Sequence, residues 1–191
     1  MKTKRFLLIV FMLLSISFQM GCLYLARYDG PYHGKVVDQE TRTPLEGVVV
    51  LGTWSVSHFD PGGGSSTYYD AHEVVTDKNG EFVIPGLGLR MLSSIKPMDF
   101  TVFKAGYSYF SSNWNSLKIE TRKDIIKWDG EMPIIPVRKL SDEDKIMWHG
   151  APDPPSEASF EDVKFMLREI DKDRKTRGLN VRGFWGGRKY E

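Results

Sequence analysis

His58, Asp70, His72 and Glu73 are the residues whose types could hold a divalent metal, because imidazole nitrogens and carboxylate oxygens are its common ligands. They stand at the two ends of a glycine-rich run, Asp60-Pro-Gly-Gly-Gly-Ser-Ser66. If this stretch is a strand, Asp70 and His72 share a face, since successive side chains alternate. The spacing matches no specific metal motif, and a solvated histidine where a strand meets a loop is the commoner role, so no cofactor is expected. Trp54, Phe59, Tyr68 and Tyr69 are the aromatic candidates for binding a sugar or a protein at a loop end. Trp54 equally suits a core, and core is the reading taken for it.

Other catalytic chemistry has little support. Cys22 is the single cysteine, no serine sits in a Gly-x-Ser-x-Gly elbow, and Gly-x-x-x-x-Gly-Lys, Cys-x-x-Cys and His-Glu-x-x-His are absent. No carboxylate pair has a setting that marks it for glycoside hydrolysis. The chain is therefore expected not to be an enzyme.

The elements that must position these residues begin with the N-terminus. Residues 1–21 carry Lys2, Lys4 and Arg5, no acid, and an apolar run from Phe6 to Phe18, the layout of a secretory signal. Cys22 after that run resembles the lipidated first residue of a bacterial lipoprotein, although Gln19 and Met20 stand where that motif usually has leucine and a small residue. The alternative is an uncleaved anchor over Phe6 to Ala26, about the ~20 residues a span needs. The lipoprotein resemblance implies attachment to the membrane through an N-terminal lipid and a place in the cell envelope. Leu23 in the next position resembles lipoproteins sorted to the periplasmic face of an outer membrane. Without Lys2, Lys4 and Arg5, 23 of the 26 basic residues remain against 25 acidic ones, which removes the electrostatic case for nucleic acid.

Between residues 34 and 107 the sequence reads as strands and tight turns. Val36, Val48 to Leu51, Val74 and Val75, Phe82 to Ile84 and Phe100 to Phe103 are β-branched or aromatic runs separated by Gly, Asn, Asp and Pro. Asp77-Lys-Asn-Gly80 predicts a hairpin reversal. Gly34-Lys-Val-Val-Asp38, Thr43-Pro-Leu-Glu-Gly-Val48, Thr76-Asp-Lys-Asn-Gly-Glu-Phe-Val-Ile-Pro85 and Lys104-Ala-Gly-Tyr107 follow in order, and together they resemble the carboxypeptidase regulatory-like domain. The resemblance implies a mainly β fold, a seven-stranded Greek-key sandwich of the transthyretin (prealbumin) type. It implies no peptidase activity, since in carboxypeptidases this domain is an accessory to a separate zinc domain. Intradiol dioxygenases use a related sandwich with two tyrosines and two histidines on iron. Their histidine pair comes late, whereas here His149 alone follows Gly80. A transthyretin-type hydroxyisourate hydrolase ends Tyr-Arg-Gly-Ser, and this chain ends Gly-Arg-Lys-Tyr-Glu. Neither activity is expected. The segment from Trp54 to Ala71 is longer than the family's usual connection, and function on such scaffolds concentrates in loops.

The remaining chain reads as an extension. Met132 to Leu140 carries two prolines and predicts an edge strand. Ser141 with Asp144 caps a helix over Asp142 to Trp148, and Gly150-Ala-Pro-Asp-Pro-Pro155 is a stiff linker. Phe160, Val163, Met166, Leu167 and Ile170 recur at helical spacing, predicting an amphipathic helix from Phe160 to Arg177 whose stripe covers the sandwich. Residues 178–191 read as a tail that packs or frays. The organisation expected is a signal over 1–21, a lipidated linker over 22–30, the sandwich over 31–140 and a helical extension over 141–191. The function expected is a non-catalytic envelope module that binds a protein partner or a glycan. A protein-binding module would join residues 55–71 and the C-terminal helix in one apolar patch. A sugar-binding module would expose Trp or Tyr beside carboxylates, and a metal enzyme would converge His58, His72 and a carboxylate.

Overall fold

Val48, Val49, Val50 and Leu51 are four apolar residues in a row, so a strand made from them must be dry on both faces. The computed structural model describes residues 26–60, 63–91, 94–118, 125–147, 150–181, 183–185 and 188–189, and it supplies both covers. One four-stranded sheet has the order β5 (Glu81–Ile84), β2 (Tyr32–Asp38), β10 (Met132–Val137) and β9 (Lys127–Asp129). The other has the order β4 (Gly63–Val75), β3 (Val49–Asp60), β7 (Asp99–Phe103) and β8 (Phe110–Asn113). Val36, Phe82, Ile84, Ile135 and Val137 of the first sheet meet Val50, Trp54, Phe100 and Val102 of the second in one buried cluster, which makes the fold a β-sandwich. On the far face of the second sheet, Val49, Leu51, Ala71 and Phe103 pack against Val163, Met166, Leu167 and Ile170 of helix α2 (Phe160–Thr176). Each such side chain buried is worth about 2 kcal/mol, so the helix is a third layer of the fold. The apolar stripe read from sequence does cover the sandwich.

The sequence fragments have identifiable work. Asp38 accepts from the N–H groups of Glu40 and Thr41, and Thr76 bridges Leu45 O and Val48 N, clamping the Thr43 to Val48 turn. Gly106 in Lys104 to Tyr107 presents its N–H to Asp173 of α2, and Ala105 presents its own to Glu169. Asp77 to Gly80 is a tight turn, with Gly80 N donating to Asp77 O and Asp77 N to Glu81 O. Only Gly80 there has positive φ, at 74°, while Asn79 does not. The turn also differs from the expected hairpin in what it joins. It carries the chain from β4 in one sheet to β5 in the other, and Val36 N bonds to Gly80 O to begin the β2–β5 ladder.

Three further differences have physical causes. β10 is an interior strand, parallel to β2 and antiparallel to β9, and not the edge strand its prolines predict. Val137 O accepts from Gln39 N, so residues 135 and 137 bond toward β2 and Pro136 turns its missing donor the other way. That side is already past the end of β9, which pairs only residues 132–134. Pro133 lies just before the paired residues on the β2 side, so neither proline interrupts a rung. Second, residues 55–60 and 63–71 are not a loop: they carry β3 and β4 on as one long hairpin. Third, Ala26–Asp29, within the stretch read as a linker, forms strand β1, paired with β6 (Gly88–Met91).

The C-terminal readings fare well. Helix α1 (Asp142–Met147) has a reciprocal cap, with Asp144 N donating to Ser141 Oγ and Ser141 N to Asp144 Oδ2. Ser159 makes no such bond to the α2 backbone; its hydroxyl donates to Asp162 at 2.6 Å. In the tail, Phe184–Trp185 (β11) pairs with Arg188–Lys189 (β12), and Trp185 Nε1 donates to Ala158 O.

A methyl group at Gly80 would collide with the Val36 carbonyl on top of its unfavourable φ. Gly80→Ala is expected to destabilise the fold by about 1–3 kcal/mol, read as a lower urea midpoint with an unchanged slope.

Candidate functional site

The long hairpin carries most of the residues singled out by their chemistry. β7 pairs with β3 only from Val49 to Thr53, and the last contacts beyond it are a Val56 to Ile95 bridge and the Ser57 N to Ser94 O bond. Past Ser57, residues His58, Phe59 and Asp60 pair with Ser65, Gly64 and Gly63, and among the described residues no further strand joins them, which makes this end of the hairpin a two-stranded arm. Ser57, His58 and residues 63–67 are exposed, and the returning strand of the arm begins Gly63-Gly-Ser-Ser-Thr67, with no apolar side chain.

The structure places the four candidate ligands in three surroundings. Asp70 and His72 share a face, as alternation predicts, with Oδ2 and Nε2 3.6 Å apart, and the His72 ring lies edge-on to Trp54 at 5.5 Å. His72 sits opposite Gly52 while His58 lies six residues further along β3, about 20 Å away at ~3.3 Å per residue. His58 Nε2 pairs with Thr67 Oγ1 at 2.9 Å. Glu73 points to the opposite face of the sheet, where its carboxylate accepts from Phe165 N at 2.7 Å and Met166 N at 2.9 Å. Burial pushes the Glu73 carboxyl up, only partly offset by those two donors and by Lys164. The four do not share a centre, and among the described residues no group of three or more His, Cys, Asp or Glu could hold a metal ion.

The aromatic candidates also separate. Trp54 is buried at 1% exposure in the sandwich core, so it is not presented to a ligand. Tyr68 packs beside α2, and burial pushes its phenol up to about 12. Tyr69 is exposed, with the Arg90 guanidinium 5.6 Å over its ring. Trp54 pairs with Asp70 and Ser55 with Tyr68, so Tyr69 is the extra residue of a β-bulge at the base of the arm. The side chain of Phe59 and all of Cys22 lie outside what the structure describes. Among the described residues no helix is long and apolar enough to cross a membrane.

Sequence reasoning passed over Asp29. It is 2% exposed, and its carboxylate accepts from Trp54 Nε1 at 2.9 Å, Leu87 N at 3.1 Å and Tyr32 OH at 2.7 Å, with the Arg27 guanidinium 3.6 Å away. Burial first, then the Asp29 hydrogen bond, pushes the Tyr32 phenol far above its ordinary value. Gly86, at φ 72°, lets the two backbones approach so closely that a methyl group would strike Asp29 O. The available signal was Asp29-Gly-Pro31, an acid before two turn-forming residues, which resembles many solvent-exposed turns.

No family model matches the chain, and no curated protein matches it significantly. Two solved structures align with 59% of it at 16% identity. A streptococcal ancillary pilin is covered over 30% of its length at a TM-score of 0.31. The 3-chlorocatechol 1,2-dioxygenase of Rhodococcus opacus is covered over 62% at a TM-score of 0.33. The chain thus spans less than two thirds of either protein, and at those scores neither likeness bears on what it does.

Two outcomes follow from this geometry. Asp29→Ala leaves the Trp54, Leu87 and Tyr32 donors without their acceptor, and is expected to cost about 3 kcal/mol in urea unfolding followed by tryptophan fluorescence. Glu73 has a folded pKa above its unfolded one, so its contribution to stability is complete below the unfolded value and is lost as pH rises through the folded value. The stability of the native chain relative to Glu73→Gln should therefore fall as pH rises above the ordinary glutamate value of about 4.3. Denaturation series of both chains on either side of that value measure it.

Proposed function

We propose that the chain is a non-catalytic, exported lipoprotein of the cell envelope whose sandwich holds the β3–β4 arm out toward a protein partner. The sandwich is read as a carboxypeptidase regulatory-like domain, a Greek key of transthyretin type built from β2, β3, β4, β5, β7, β8 and β10. The ordered fragments from Gly34 to Tyr107 support this, as do the turns and clamps they form. The signal-like residues 1–21 and Cys22 support export and lipid anchoring at the periplasmic face of an outer membrane.

The observation that carries the binding role is the arm itself. Among the described residues its paired strands continue past the last neighbouring strand, and those whose burial is described there, His58 and residues 63–67, are exposed and belong to neither core cluster. A two-stranded arm offers peptide N–H and C=O groups along both edges, which suits recognition by strand addition. The apolar patch once expected to join residues 55–71 with the C-terminal helix is not the route, because the helix stripe is buried on the second sheet.

Replacing residues 58–65 by Asn-Gly would close Ser57 directly onto Ser66 with a two-residue turn. A pull-down from detergent-extracted membranes, with native chain and shortened chain side by side, tests the reading. The expected result is an envelope protein recovered with the native chain and lost with the shortened one, both showing the same urea midpoint. Equal recovery by both chains would sink the arm as the binding element.

A further inference from the structure

The three most exposed large apolar side chains among the described residues are Tyr28 (69%), Leu89 (64%) and Met91 (67%), and all three belong to the β1–β6 ribbon. Tyr28 is directly opposite Leu89, and Met91 is two residues on, so the register puts them on one face. Other exposed apolar residues, such as Val75, Val83, Ile125 and Leu179, are scattered over separate elements. The ribbon's opposite face carries Arg27 and Arg90. Arg27 donates to Ile95 O at 3.1 Å and lies 3.6 Å from Asp29, while Arg90 stacks on Tyr69. Those contacts and the buried Asp29 fix the ribbon to the body by its basic face, leaving the apolar face outward.

We propose that this face lies against the lipid bilayer as a second membrane contact, which orients the sandwich on the surface. The inference rests on the membrane-anchored reading above. Its first support is the length of chain upstream: Ala26 follows Cys22 by four residues, so at ~3.6 Å per residue the ribbon starts within about 14 Å of a lipid on Cys22. A ribbon on so short a tether stays beside the interface whether or not it touches it. The second support is chemical. Tyrosine favours the headgroup level, and leucine and methionine favour the acyl boundary below it. The third is charge. Asp29, the single acid of the two strands, is buried, so the outward face of the ribbon presents no negative charge to anionic headgroups. One lipid chain alone gives only marginal, reversible attachment, so an added apolar contact beside it would matter to residence on the membrane.

The test uses the full chain in vesicles of phosphatidylethanolamine and phosphatidylglycerol that include a phospholipid with a photoactivatable diazirine high on one acyl chain. After irradiation, mass spectrometry reads both the label on each peptide and the modification state of Cys22. The peptides bearing Tyr28 and Leu89–Met91 are expected to carry several-fold more label than those bearing Val83 or Ile125. In the triple variant Tyr28→Ser, Leu89→Ser, Met91→Ser that excess should vanish at an unchanged urea midpoint. A lipidated Cys22 with ribbon labelling at control level would overturn the ribbon contact and leave lipid anchoring standing. Strong ribbon labelling with an unmodified Cys22 would uphold the contact and overturn lipid anchoring. Ribbon peptides linked to a second protein or a second copy, without lipid label, would also overturn the contact.

Discussion

The structure depends on one strand having no wet face. Val49 and Val50 of β3, with Leu51 beyond them, alternate between the sandwich core and the α2 interface, and all are buried. A sheet of this kind is unstable until both sides are covered, so the C-terminal helix cannot be an optional appendage. Apolar contact is non-directional and would allow the helix to slide or rotate on the sheet. Three carboxylates fix it: Glu73 holds the backbone of Phe165 and Met166, Glu169 holds Ala105, and Asp173 holds Gly106. Asp173 is itself paired with Arg177 at 2.8 Å, so its burial leaves no bare charge. Charges that look in sequence like the solvated face of an amphipathic helix thus include the groups that fix its position.

Asp29 does the corresponding work on the sandwich side of the second sheet. A buried carboxylate is costly unless its oxygens are saturated with donors, and here an indole, a phenol and a backbone amide converge on it from three segments. The same residue ends β1, so the cluster ties that strand to Trp54 in the middle of β3. The body of the protein is therefore fixed to a point only a few residues from Cys22.

What the sequence made legible was what local rules determine. Ser141 and Asp144 formed their cap, the spacing from Phe160 to Ile170 gave the helix and its buried face, and the apolar runs gave the sandwich strands. Burial of Trp54 followed from size and apolarity. Each miss depended on partners distant in the chain. Pro133 and Pro136 look like edge residues until Gln39 sets the phase of the β2 ladder. Asp77 to Gly80 has hairpin composition, but which sheet receives β5 is decided by Gly34, Lys35 and their neighbours. Asp70 and His72 were paired correctly by alternation, whereas the separation of His58 and the reversal of Glu73 required the register and the helix. Glycine and serine between Asp60 and Ser66 read as loop because a run with no apolar residue has no alternation to detect.

That last point also bears on how the arm keeps its shape. A ribbon without a buried face has weakly specified register, since a slip of one residue exposes nothing and buries nothing. Here the register is imposed from below, where Val49 to Thr53 are locked between β4 and β7. The bulge at Tyr69 intervenes between that locked part and the arm, exchanging the faces of the strand and adding local twist. Above the bulge Tyr68 turns toward α2, and below it Asp70 and His72 turn toward Trp54. The direction in which the arm leaves the sandwich is therefore set at Tyr69, by a residue that belongs to neither core cluster and is braced by Arg90 of the neighbouring ribbon. Removing Tyr69 would restore plain alternation, with Tyr68 still opposite Ser55 on the α2 side, and would take away the local bend and twist that aim the arm, while the buried run below kept its place. The arm's composition can thus vary without cost to the core, but its aim depends on a single unpaired position.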